Sequence, residues 1–114
     1  MPIDADVQAA AKHFGLDPSL IQAVVTAEGN IIRAVQCSVP SVVTRAEALD
    51  ILCRSCVHAM RDFVVQQNQQ QAFVTFWGAR WAPVGATNDP KGLNANWVRN
   101  VLRLSAKGAE WQPT

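Results

Sequence analysis

Gly15-Leu16-Asp17-Pro18-Ser19-Leu20-Ile21-Gln22-Ala23-Val24-Val25-Thr26-Ala27-Glu28-Gly29-Asn30 is the stretch that decides how this chain folds. Asp17-Pro18 reads as a helix start, with Asp as the N-cap and Pro at the first helical position. Leu20, Ile21, Ala23, Val24, Val25 and Ala27 follow. A helix that is apolar nearly all round must be covered on every side, so this one is expected at the centre. It ends at Glu28-Gly29-Asn30.

Working outward, the helix needs partners, and the flanking sequence supplies them. Val7, Ala10, Ala11 and Phe14 recur at helical spacing and predict a first helix over about Asp4 to Phe14, stopped by Gly15. Residues 30–43 are rich in β-branched side chains, but Pro40 and the serines break any strand. A short turn of helix followed by a loop is expected there. Thr44-Arg45-Ala46-Glu47 is a capping box. It opens the longest helix, about Arg45 to Gln66, with Leu49, Cys53, Cys56, Met60 and Phe63 as its apolar stripe. Arg45, Arg54, Arg61 and Asp62 mostly fall away from that stripe.

The run Gln66-Gln67-Asn68-Gln69-Gln70-Gln71 reads as a loop or as the join between two helices. A fourth helix is predicted from about Gln70 to Ala82, carrying Phe73, Phe76, Trp77 and Trp81. Pro83 to Gly92 carries every breaker signal of a loop. A fifth helix runs from about Asn94 to Leu104, with Trp97 in its core-facing set. The tail from Ser105 is expected to fray, with Trp111 as a candidate anchor. The expected fold is therefore all-α: a compact, orthogonal five-helix domain spanning residues 1–114 as one unit. Unequal helices and a ten-residue loop do not suit a regular up-and-down bundle.

Composition narrows the functional classes. The chain has 114 residues, 49% hydrophobic and 17% charged, with ten Lys/Arg against nine Asp/Glu. That is the balance of a folded domain with a single core. A net charge of +1 disfavours bulk electrostatic binding of nucleic acid, and with it a helix-turn-helix DNA reader. No segment is long and apolar enough for a membrane span. Met1-Pro2-Ile3-Asp4-Ala5-Asp6 lacks the basic start and apolar run of a signal peptide, so synthesis in the cytoplasm is expected. Three cysteines, Cys37, Cys53 and Cys56, do not make a complete disulfide framework. Cys53-x-x-Cys56 sits within a helical stripe, and His58 is turned to another face. The expectation is small apolar core residues in a reducing compartment, with no metal and no cofactor.

Glu28 does not fit its surroundings. Ile21, Val24, Val25 and Glu28 follow i, i+3, i+4, i+7 and so share one face. A carboxylate thus closes an apolar stripe at the C-terminal end of a helix. Burial and the negative end of the helix dipole both oppose its ionised form. Such an environment suits a general acid. Gly29 beside it would let a ligand approach closely. The plain alternative is a helix-end residue turned to water, or paired with Arg33 or an arginine of the long helix.

The segment from Gly15 to Asn30 resembles the opening of goose-type lysozymes and soluble lytic transglycosylases. Those families share a Gly-Leu-Asp-Pro start, an apolar helix and a closing glutamate that is the catalytic acid/base. The resemblance places that role on Glu28. Two features differ: the family's Glu-Ser-x-Gly is here Glu28-Gly29-Asn30, and the downstream glycine- and glutamine-rich motif is not recognisable. Arg80-Trp81-Ala82-Pro83-Val84-Gly85-Ala86-Thr87-Asn88-Asp89-Pro90 is similar to a cleft-lining stretch of phage-type and glucosaminidase-like members of the lysozyme-like superfamily. Together the two segments cover about a quarter of the chain.

The resemblance implies a lysozyme-like fold and cleavage of the β-1,4-linked glycan strands of peptidoglycan. Delivery to the wall, or carriage by a phage or secretion apparatus, goes with it. Glu28 would protonate the glycosidic oxygen. Asp89 would be a second carboxylate for a hydrolase, or else a turn residue. Trp77 and Trp81 share a helix face. Trp77 and Trp97 read as core, and Trp81 as either core or a platform for sugar rings. Asn88 would bond an N-acetyl group or cap its loop. Thr26, Gln36 and Ser38 would line the groove or face solvent. Two rival classes stand beside this one. One is a non-catalytic phage-related, secretion-apparatus or wall-binding module on the same fold. The other is an unrelated helical interaction domain that uses residues 35–43 and the tryptophans.

Overall fold

Asp17 caps the central helix in the expected way. Its carboxylate accepts from the Ser19 N–H at 2.9 Å and from the Ser19 hydroxyl at 2.8 Å. Pro18 then occupies the first turn. The computed structural model describes residues 2–66, 72–82, 91–92 and 94–105. Its elements are α1 (Ala5–Phe14), α2 (Pro18–Glu28), α3 (Ile31–Gln36), α4 (Arg45–Gln66), α5 (Phe73–Trp81) and α6 (Ala95–Leu104). Among the described residues there is no strand, and the class is all-α. The short turn of helix expected after Asn30 is the six-residue α3, capped by the Asn30 Oδ1, which accepts from the Arg33 N–H at 3.1 Å. The predicted fourth helix starts later than expected, at Phe73, and the last starts at Ala95.

Helix α2 is buried as its composition demands. Leu20, Ile21, Ala23 and Val24 are at most 1% exposed, and each of the larger ones contributes about 1.5–3 kcal/mol of apolar burial. The helix packs between α1 and α6. The long α4 forms the opposite wall, against which α1, α3 and α5 pack. Its stripe is wider than predicted. Leu52 and Ala59 are buried beside Leu49, Cys53, Cys56 and Phe63, whereas Met60 is only half-buried. Helix α2 packs most extensively on α6, far from it in sequence.

The capping box is formed. The Glu47 N–H donates to Thr44 Oγ1 at 3.1 Å, and the Thr44 N–H donates to Glu47 Oε1 at 3.1 Å. The next residue, Arg45, reaches back to the start of α1. Its guanidinium bonds Asp6 Oδ2 at 2.6 Å and Asp4 Oδ2 at 2.7 Å. Gln22, which interrupts the apolar surface of α2, is buried with its polar atoms engaged. It accepts from the Asp4 N–H at 2.9 Å and donates to Asp4 Oδ2 and Thr26 Oγ1, both at 3.3 Å. One buried amide thus serves the first turn of α1, whose N-cap makes no side-chain capping bond of its own.

Phe63, Phe73, Phe76, Trp77, Trp81 and Trp97 form one cluster between α4, α5 and α6. Phe63 meets Phe73 and Phe76 edge-on, and Trp77 meets Trp97 with ring centroids 5.5 Å apart. Trp77 is fully buried and donates its indole N–H to Ser55 Oγ at 3.0 Å. Trp97 is core as well, but its buried indole N–H meets no acceptor among the described residues. The two helices approach closely at Gly78, where an added Cβ would lie 2.5 Å from Val98 Cγ2.

One expectation fails outright. Cys37 is not a core residue: it lies just after α3, exposed, with its thiol near the Arg33 carbonyl at 3.6 Å. The helix ends before it, so it has no apolar stripe to join. Cys53 and Cys56 are buried as read. Residues 67–71, residues 83–90 and those from 106, with Trp111, lie outside the described residues. None of the described helices is long and apolar enough to cross a membrane.

Candidate functional site

Three local events bring the site together. Helix α2 ends at Glu28, the chain turns at Gly29, and α3 begins under the Asn30 cap. Gly29 has φ 75° and ψ −54°, a conformation that side chains bearing a Cβ resist. A Cβ there would meet nothing within 4 Å. The turn by itself therefore requires the glycine. The turn lays α3 beside the end of α2 and places Ala34, Cys37 and Ser38 across from Glu28.

The third event is the end of α5. Trp81 is its last residue and Ala82 its C-cap. Trp81 is half-buried, with its ring centroid 6.4 Å from that of the fixed Trp77. Its indole N–H donates to Glu28 Oε1 at 3.0 Å, across 53 residues of sequence. Glu28 is itself half-buried. Among the described residues no cation lies within 4 Å of it: the ion pairs are Arg45 with Asp4 and Asp6, Arg54 with Asp50, and Arg80 with Asp62. The alternative of a Glu28 ion pair with Arg33 or an arginine of α4 therefore does not hold. Its partner is a neutral donor.

A recess of about 110 Å³ opens here, lined by Glu28, Ala34, Cys37, Ser38, Trp81, Ala82 and Asn94. A smaller hollow of about 50 Å³ adjoins it, sharing Ala34, Ser38 and Trp81 and floored by Val35, Val39 and Ile51. Glu28 is the single carboxylate among the described lining residues. The recess is smaller than the 300–1,000 Å³ of common ligand sites. It can seat one substituent of a larger molecule lying across it.

Of the residues singled out in the sequence, Glu28, Trp81 and Ser38 come together. Gln36 does not join them. Its amide donates to the Val42 carbonyl at 2.7 Å and so pins the loop after α3. Thr26 is exposed and bonded to Gln22. Asn88 and Asp89 lie outside the described residues. Sequence reasoning missed Ala34, Cys37, Ala82 and Asn94. Asn94 is expected as a helix start, and nothing in its pattern marks it as sharing a recess with Glu28. Among the described residues no three His, Cys, Asp or Glu side chains gather to hold a metal.

Compared with protein-family models, with curated proteins and with solved structures, the chain matches none.

Proposed function

We propose that this protein cleaves the β-1,4-linked glycan strands of peptidoglycan, with Glu28 as general acid and then general base. The observation that carries the reading is the half-buried Glu28 carboxylate lining a recess beside Trp81, without a balancing cation among the described residues. A carboxyl so placed can give its proton to the glycosidic oxygen as an oxocarbenium-like centre forms. The recess is small, so the sugar rings would lie across it, with only the scissile link near Glu28. A lysozyme-like fold and delivery to the wall by a phage or secretion apparatus belong to the same proposal, on the resemblance of residues 15–30 and 80–90.

Among the described residues Glu28 is the one carboxylate lining the recess, and on that ground the lytic transglycosylase route is preferred to hydrolysis; Asp89 lies outside the described residues. Hydrolysis ordinarily uses a second carboxylate, to activate water or to attack the sugar. In the single-acid route, Glu28 returns as a base to an internal hydroxyl of the sugar, which closes an anhydro ring. The small recess also supports a second reading, a wall-binding module on the same fold that holds glycan without cutting it. Purified cell walls separate the two. Wild type is expected to clear a wall suspension, and Glu28→Gln to clear none while keeping its helical circular dichroism. Binding to walls without clearing by wild type supports the second reading. Equal clearing by both proteins would contradict the role of Glu28.

A further inference from the structure

A protonated carboxyl carries its proton on one oxygen at a time, and the two oxygens of Glu28 are not equivalent. Oε1 accepts the Trp81 indole N–H at 3.0 Å. No group among the described residues hydrogen-bonds Oε2. An indole N–H only donates. The unprotonated oxygen of a carboxyl is the better acceptor, so the indole bond to Oε1 favours the proton on Oε2. Resting on the reading of Glu28 as acid/base, we propose that Trp81 is a positioning residue. It holds the carboxylate by Oε1 and so assigns every proton transfer to Oε2.

The indole is well placed for this. Helix α5 packs on α4 and α6, while α2 packs on α1 and α6. The Trp81–Glu28 bond joins the last residues of α5 and α2. Trp81 lies next to Trp77, which is fully buried and bonded to Ser55 of α4. The ring is thus tied back to the core through α5, and an otherwise mobile side chain at a helix end gains a fixed partner. A glutamate has three side-chain torsions to settle, and a hydrogen bond from a donor tied to the core restricts them.

The proton balance closes on one oxygen. The proton leaves Oε2 for the glycosidic oxygen as the bond from that oxygen to the anomeric carbon breaks, and the bonding pair stays with the oxygen. Oε2 then takes the proton of the internal sugar hydroxyl as its oxygen bonds the anomeric carbon. Glu28 ends protonated on Oε2, as it began, and Oε1 keeps the Trp81 bond throughout.

Two measurements test this together. Trp81→Phe keeps an apolar aromatic ring, though a smaller one, and removes the N–H. It is expected to lower kcat about tenfold with KM within about twofold, because positioning and not ground-state binding is lost. Independently of activity, the Trp81 indole 1H–15N resonance of wild type is expected to move as the Glu28 carboxyl titrates. That movement is expected to vanish in Glu28→Gln. The resonance is assigned by its absence in Trp81→Phe. A raised KM with unchanged kcat would make Trp81 a sugar platform and overturn the proposal. So would an indole resonance that ignores the titration in an active enzyme. A titrating resonance in a protein that cuts no glycan would overturn the functional reading and the positioning role of Trp81 with it, while leaving the hydrogen bond established.

Discussion

Glu28 and its neighbour Gly29 show how much of a position a local pattern reports and how much it leaves to the fold. The carboxylate at the end of an apolar stripe stood out in the sequence because helix spacing alone puts it on the buried face of α2. Its partner could not be read there. Trp81 is 53 residues away, and no local pattern reports which helix ends meet. Gly29 was visible as a glycine, but its conformation was not. With φ 75° and an open surround, Gly29→Ala is expected to cost at least ~1 kcal/mol, read by urea unfolding. A neutral outcome would mean that the turn relaxes. The cysteines separate in the same manner. Burial pushes the Cys53 thiol up to about 11, with the nearby Asp50 adding to it, and pushes Cys56 up further. Cys37 is exposed. A thiol reagent at mildly alkaline pH is expected to label Cys37 in the native protein, and Cys53 and Cys56 only after denaturation. Rapid labelling of the α4 pair in the folded state would contradict the packing.

Helix α4 was the element most legible in sequence, since a capping box and a long stripe are local signals. Its ends match the prediction at both residues, and Thr44→Ala is expected to cost about 1 kcal/mol through the lost cap, measurable by thermal unfolding. Helix α5 was less legible. Its start was placed three residues early because the glutamines before it are acceptable in a helix and carry no stop signal. Gly78 shows what local reading misses at this scale. Nothing in Trp77-Gly78-Ala79 announces a close crossing, yet the α6 side chains Val98 and Trp97 lie where a Cβ would go. Gly78→Ala is expected to destabilise by about 1–3 kcal/mol, because crowding a packed crossing shifts both helices. Because α5 also carries Trp81, the same variant is expected to weaken the Trp81–Glu28 bond. An unchanged stability would place slack between α5 and α6.

At the scale of the whole molecule, tertiary links hold the helix ends, electrostatic ones among them. Arg45 joins the start of α4 to Asp4 and Asp6 at the start of α1. Its hydrogen bond holds the Asp6 carboxyl below its usual range. A carboxyl depressed in the folded state adds stability above its unfolded pKa near 3.8, and that stability is lost as pH falls below it. The pair is partly exposed, so the effect is under about 1 kcal/mol. Wild type is expected to lose more stability than Arg45→Met between about pH 5 and pH 2.5. Parallel losses would mean that the link is fully screened. The all-α class and the central place of α2 followed from hydrophobic pattern. The meeting of α2, α3 and α5 around the recess followed from chain topology, which no spacing rule supplies. The central claim is that the Glu28 carboxylate performs the chemistry, and the products of digestion test it most directly. Mass spectrometry of muropeptides released from purified walls is expected to show anhydro ends, one water lighter than reducing ends, with wild type and none with Glu28→Gln. The same products from both proteins would contradict it.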